Sequence, residues 1–143
     1  MAIERLTPDH SLWPGFCTHL DRHGLAERVL THNTMLCPGL YALCAVKNNV
    51  IIGHIAIKMQ RIKLPEATGT GPLSYVTHPQ ENRALRELFV RTFVVDAPYR
   101  RQGHGRALQR AAIEFGKRLG CFQMRSWSPL ECTANHALKL SMG

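Results

Sequence analysis

The sequence predicts one α/β domain of the α+β type, in which a β-hairpin is followed by a strand–helix–strand unit. Three observations carry this reading. Leu40 to Val46 (LYALCAV) and Val50 to Met59 (VIIGHIAIKM) are β-branched and apolar runs separated by Lys47-Asn48-Asn49, a connector of hairpin length. Leu88 to Val95 (LFVRTFVV) is nearly continuous in β-branched and aromatic residues, as a strand buried on both faces is, with Arg91 its sole charge. After Gly103 the period becomes helical, with Ala107, Leu108, Ala111, Ala112, Phe115 and Leu119 on one face, and Cys121 to Trp127 then reads as a strand.

The other elements fall between these anchors. Ile3 to Leu6 reads as a short strand, and Thr7-Pro8-Asp9 as a helix start in which Thr7 or Asp9 caps the first turn. A helical pair is expected over His10 to His32, broken at Gly24. Pro38-Gly39 marks the turn into the hairpin, Leu64 to Gly71 a loop, and Leu73 to Thr77 a further strand. Asp96-Ala97-Pro98 stops the buried strand, and Gly120 ends the long helix by accepting a left-handed backbone. The strand–helix–strand unit over residues 88–127 calls for a right-handed crossover.

Composition narrows the class of function. With 143 residues, 45% of them hydrophobic and 20% charged, residues 1–143 form a single folded domain with a real core. Five cysteines, odd in number and without a C-x-x-C pair, suggest neither a disulfide framework nor a zinc knuckle, and point to a reducing, cytoplasmic setting. No run approaches the roughly 18 apolar residues of a membrane span, and no signal-peptide pattern opens the chain, so no membrane partner is expected. His19 and His23 stand four apart near Cys17, but no H-E-x-x-H pattern or second ligand cluster accompanies them; they read as a core or solvated pair, and no metal is expected. The net charge is +8, of which +7 lies between Arg83 and Arg125, where ten basic residues face three acidic ones. An anionic ligand therefore belongs to that segment.

Within it, the strand-to-helix junction reads VVDAPYRRQGHGRA from Val94 to Ala107. A helix N-terminus presents backbone N–H groups without intrahelical acceptors and carries about half a positive charge. Gly103 and Gly105 remove Cβ atoms that would hold an anion off the backbone, and Arg100, Arg101 and Arg106 surround it with positive charge. The pattern suits a diphosphate. It is neither a P-loop nor a dinucleotide fingerprint, since no G-x-x-x-x-G-K-[ST] occurs and Leu108 stands where a third glycine is needed. Arg100-x-x-Gly103-x-Gly105, within YRRQGHGRALQRAAIEF, resembles the [R/Q]-x-x-G-x-[G/A] pyrophosphate loop of the GNAT superfamily of acetyl-CoA dependent N-acetyltransferases.

The resemblance is specific over Phe89 to Trp127 and consistent in element order from Ile3 onwards. It implies a mixed, mostly antiparallel sheet flanked by helices, splayed after the central strand. Acetyl-CoA would be the co-substrate, with Phe93, Val94 and Val95 pairing with its pantetheine arm. The segment Arg100, Arg101, Gln102, Gly103, His104, Gly105 and Arg106 would hold its pyrophosphate, and Asn135 would either bond the CoA arm or cap the helix expected over 131–143. The implied reaction is direct attack of a primary amine on the thioester, with an oxyanion donor from the strand backbone near Val94. The Glu that many relatives carry nine residues before the loop is replaced by Arg91, next to Thr92. Glu87, at the same strand parity as Arg91, is the candidate general base; His54 and His78 are further candidates by residue type. No tyrosine falls in 131–143, so the acid that relatives often place there is absent.

By the same resemblance the domain is cut short at its C-terminus, lacking the last two strands. That leaves Cys121 to Trp127 as an open edge and predicts a homo-oligomer formed by strand exchange. Two other functions were weighed. A non-catalytic acyl-CoA-binding sensor is compatible with the missing Glu and Tyr. Specific nucleic-acid binding is disfavoured, since no aromatic or groove-reading element accompanies the basic segment.

Overall fold

A computed structural model describes residues 1–62 and 85–127, together with the backbone of 135–139. Six strands form one sheet in sequence order: β1 (Ala2–Leu6), β2 (Leu40–Lys47), β3 (Val50–Arg61), β4 (Arg86–Val95), β5 (Gln123–Trp127) and β6 (Asn135–Lys139). All neighbours are antiparallel except β4 and β5. Helices α1 (Trp13–Arg22) and α2 (Ala26–Val29) cover one face, and α3 (His104–Arg118) covers the other.

The β2–β3 hairpin turns on Asn48 and Asn49, whose φ values of 53° and 60° are the left-handed pair that a tight two-residue turn requires. Gly24, at φ 68°, separates α1 from α2 where the sequence marks the break. The start of α1 departs from expectation. Thr7 donates to Asp9 within its own turn, and neither caps the helix; the Leu12 N–H donates instead to His10 Nδ1 at 3.0 Å, one residue before α1 begins. Pro14 in the first turn costs nothing there, because that N–H has no helical acceptor.

Two cores result. Leu6, Phe16, Leu20, Val29, Ala42 and Ala56 pack under α1 and α2, while Ile52, Ile55, Ile57, Leu88, Leu108 and Ala112 pack under α3. Burial of this kind contributes about 25 cal/mol per Å² of apolar surface, and it is what holds a helix as short as α2 in place.

β4 carries one irregularity that matters for the site. Ala56 is opposite Thr92 and Ile57 is opposite Val90, so Arg91 is an extra residue without a partner on β3. The bulge places Arg91 and Thr92 on the α1–α2 side in succession and explains the charge inside an apolar run. Arg91 reaches over the sheet edge and donates through Nε to the Arg28 carbonyl at the end of α2, 3.1 Å away.

Two expectations are corrected at the far edge. Residues 135–139 form strand β6 rather than part of a helix, in antiparallel register with β5 from Gln123↔Lys139 to Trp127↔Asn135. β5 is therefore flanked on both sides, and the edge on which strand exchange was expected is taken by the same chain. The strand expected over Leu73 to Thr77, the loop before it and His78 lie outside the described residues.

Candidate active site

β4 and β5 are paired only over Glu87↔Gln123, Leu88↔Met124 and Phe89↔Arg125. Beyond Phe89, β4 continues six residues to Val95, paired with β3 alone among the described residues. Among the described residues, the strand's other edge thus opens as a notch without a strand partner, and backbone groups left so demand one.

Past the notch the chain makes a 3₁₀ turn (Ala97–Tyr99) and enters α3. Arg101 at φ 62° and Gly103 at φ 84° alternate with ordinary residues and curl the loop, a geometry that turns successive N–H groups toward one centre. Gly103 precedes α3 directly, with no side chain capping the helix, so its first N–H groups keep their anion-binding capacity. Gly105 stands against β4: a Cβ there would reach Phe93 Cζ at 3.4 Å and Val95 Cγ2 at 3.7 Å, already in van der Waals contact, so that a larger side chain would crowd the lining.

The loop and β4 enclose a cavity of ≈ 380 Å³ lined by Phe93, Val94, Val95, Tyr99, Arg100, Arg101, His104 and Gly105. Six of the residues that the sequence marks for the cofactor's arm and diphosphate come together here: the three strand residues, two arginines and Gly105, with His104 as a seventh. Phe93 is exposed, an apolar face open to a ligand. Gln102, Gly103 and Arg106 stand beside this lining rather than in it. Gln102 donates to the Pro98 carbonyl at 3.3 Å. Arg100 has a structural duty as well, since its Nε donates to the Val95 carbonyl at 2.9 Å and ties the loop to the end of β4.

His104 is buried, and both ring nitrogens lack a partner among the described residues. An imidazole left so is costly unless a ligand completes it. Tyr99, whose ring lies 5.9 Å from the Lys47 ammonium, also lines the cavity.

A second polar group lies across β4. His54 on β3, fully buried, bonds Thr92 Oγ1 through Nε2 at 2.8 Å and His19 Nε2 through Nδ1 at 2.8 Å. His19, also buried, presents Nδ1 to Asp96 Oδ1 at 3.6 Å. Asp96 in turn holds Arg22 at 2.8 Å and His23 at 2.6 Å. Burial disfavours the charged imidazolium and pushes His19 down to about 4 and His54 to about 3. His19, His23 and Asp96 bring their ligating atoms within 4.8 Å of one another, but the Arg22 guanidinium, 3.4 Å from His19 Nδ1, already supplies the cation. His19 and His54 are 35 residues apart, a distance over which their pairing leaves no sequence signal.

The sequence matches the acetyltransferase (GNAT) family over residues 10–139, nine-tenths of the chain. The chain belongs to the GNAT family of acetyltransferases. No curated protein matches it. Among solved structures, the GNAT fold is shared with the aminoglycoside N-acetyltransferase AAC(6')-Iy in complex with CoA, at 18% identity and TM-score 0.59, covering 92% of this chain and 82% of that one. A GNAT acetyltransferase from Staphylococcus aureus subsp. aureus aligns over 94% and 92% of the two chains, at 18% identity and TM-score 0.59. The ribosomal-protein-alanine N-acetyltransferase of Brucella melitensis biovar Abortus aligns over 90% and 81%, at 16% and 0.60.

Two further residues marked by the sequence lie on β6 and β4, the strands on either side of β5. Asn135 opens β6, opposite Trp127. Glu87 is buried near the start of β4, where both carboxylate oxygens already accept hydrogen bonds: Gln123 reaches Oε1 at 2.7 Å, and Gln60 and Arg125 each reach Oε2 at 2.7 Å. It ties β3, β4 and β5 together at the root of the notch, below the point where the strands part. Among the described residues, no helix is long and apolar enough to cross a membrane.

Proposed function

We propose that this protein transfers the acetyl group of acetyl-CoA to a primary amine by direct attack in a ternary complex. The observation that carries the reading is the parting of β4 from β5 after Phe89 beside the open N-terminus of α3, with the cavity of ≈ 380 Å³ between them. The helix N-terminus and Arg101 suit a diphosphate, and the His104 nitrogens suit an acceptor oxygen of the same ligand. Backbone groups of Phe93, Val94 and Val95 suit the amides of a pantetheine arm, which would add to β4 as a strand does. A preplaced N–H on the free edge of β4 would meet the oxyanion that forms when the amine attacks. The supporting fit lies in the donor set and the shape, and acetyl-CoA supplies the activated acyl group.

Glu87, the base candidate from the sequence, fits a different task better. A carboxylate with three donors already on its oxygens positions the strands that frame the notch, and an incoming ammonium would have to displace one of them. That same observation favours the second reading, a non-catalytic acyl-CoA sensor, because it takes the base candidate of the sequence out of the chemistry. Thiol release in the presence of acetyl-CoA and a panel of primary amines, against acetyl-CoA alone, separates the two. The transfer reading predicts amine-dependent release; CoA binding without it would leave the sensor.

A further inference from the structure

A reaction that joins an amine to a thioester must move one proton from the tetrahedral nitrogen and deliver one to the leaving sulfur. Among the described residues, the site shows neither a free carboxylate nor a tyrosine in the place where relatives carry one. A chain of polar groups does reach β4 at Thr92, beside the bulge and beyond the last residue that β4 pairs with β5. It runs from Thr92 Oγ1 to His54 (2.8 Å), from His54 to His19 (2.8 Å), and from His19 Nδ1 toward Asp96 (3.6 Å). We propose that Thr92, His54, His19 and Asp96 form a proton relay that takes the amine proton and returns a proton to the departing CoA thiolate. This rests on the acetyl-transfer reading given above.

The chemistry of each atom follows from the contacts. With a proton on His19 Nδ1 facing Asp96, His19 Nε2 is an acceptor, His54 donates to it from Nδ1, and Thr92 donates its hydroxyl proton to His54 Nε2. In this setting Thr92 Oγ1 can accept. When the amine nitrogen bonds to the acyl carbon, its surplus proton moves to Thr92 Oγ1, the Thr92 proton to His54 Nε2, the His54 Nδ1 proton to His19 Nε2, and the His19 Nδ1 proton to Asp96. Every ring is then neutral again in its other tautomer. As the C–S bond breaks, the same sequence runs backwards from Asp96, and the thiolate receives the proton that Thr92 gives up. The net result is amide plus CoA thiol, with the relay restored and no ring required to turn over.

Both settings are supported by the groups around His19. The Asp96 carboxylate 3.6 Å away favours a proton on Nδ1, and the Arg22 guanidinium 3.4 Å away favours a lone pair on the same atom. Neither tautomer is locked. His23, bonded to Asp96 at 2.6 Å, places the outer end at the half-exposed rim, while Phe16 packs edge-on against His54 at 5.7 Å between centroids and keeps the inner links from water. The groups facing His54 are His19 from α1, His23 just past its end, Cys44 directly opposite on β2 and Thr92 from β4; Arg22 and Asp96 act on it through His19. Burial keeps Cys44 as a thiol by pushing it up, and keeps both imidazoles uncharged at neutral pH, so the rings pass protons rather than store them.

The test compares Thr92→Val, which keeps the shape and removes the hydroxyl, with Thr92→Ser, which keeps the hydroxyl. Calorimetry with CoA and nitrogen NMR of the His54 and His19 rings accompany turnover. The relay predicts that Thr92→Val lowers kcat by about 100-fold, the low end of acid–base contributions, with CoA affinity unchanged, while Thr92→Ser stays within about threefold. It predicts a solvent isotope effect involving more than one proton in the wild type that is lost in Thr92→Val. In the NMR arm both rings stay neutral above about pH 5, and the His54 Nε2 signal moves on Thr92→Val and returns on Thr92→Ser. Wild-type turnover that Thr92→Val retains would overturn the relay alone. CoA binding with no amine-dependent turnover in the wild type would overturn the acetyl-transfer reading and the relay with it.

Discussion

Lowering the pH from 7.5 to 4.5 should destabilise this fold through the imidazole that β3 buries. His54 is held at about 3 by burial, against 6.5 for a free histidine. Because its folded value lies below the unfolded one, its contribution is fully present above 6.5 and is lost as the pH falls from there toward 3. At pH 4.5 the unfolded chain takes up a proton that the folded one refuses, which is worth about 2–3 kcal/mol. His19, lowered to about 4 by the same cause, acts in the same direction. A domain of this size has a total stability of roughly 7–20 kcal/mol, so the loss is a sizeable share. Urea melts followed by circular dichroism at the two pH values measure it; with m about 1–3 kcal/mol per molar, the midpoint should drop by about 1–2 M. Other groups titrate in the same window, and the variant His54→Gln isolates this one: its acid loss should be smaller by about 2–3 kcal/mol. Equal acid losses in the two proteins would refute the assignment of a neutral, buried His54.

The remaining expectations concern the frame around the notch. Gly53→Ala places a Cβ 2.9 Å from the Val94 carbonyl and 3.2 Å from Val95 Cα, so β3 and β4 must part; thermal melts should show a loss of about 1–3 kcal/mol, and unchanged stability would mean the strands are less closely packed than described. Gly103→Ala puts a Cβ on a backbone at φ 84° and should cost about 1–2 kcal/mol in the same assay, with weaker CoA binding by calorimetry. Glu87→Gln leaves Arg125 without its buried partner and should cost about 3 kcal/mol; if Glu87 positions strands, turnover falls without a change in the shape of the pH profile, whereas loss of a basic limb would return it to the role of base.

Local chemistry was legible. The Asn48-Asn49 turn, the break at Gly24, the αL glycine ending α3 and the basic loop before it each act through the backbone of a few adjacent residues, and each stands where the sequence places it. The cavity is lined by strand and loop residues that the sequence marks, with Tyr99 added. What stayed hidden depends on distant partners. Residues 135–139 carry no strong strand pattern, and their strand exists because β5 offers an edge to pair with. The bulge that accounts for Arg91 is a matter of register against β3, and the carbonyl it bonds is 63 residues away. The sequence suggests a core or solvated role for His19 and His23; His19 is core, but its bond to His54 and the Asp96 cluster depend on α1 packing across the sheet. Glu87 was found by strand parity, which gives a side of the sheet and says nothing of the three donors waiting there.

The proposed function stands on the turn between β4 and α3 serving as a dock for the diphosphate and arm of CoA. Isothermal titration of the wild-type protein with CoA tests it most directly, with Gly105→Val, whose added methyls would meet Phe93 and Val95, as the paired variant. One site per chain with micromolar affinity is expected, weakened at least tenfold in Gly105→Val, which corresponds to about 1.4 kcal/mol. No heat of binding in a folded wild-type protein, or equal affinity in the two, would contradict it.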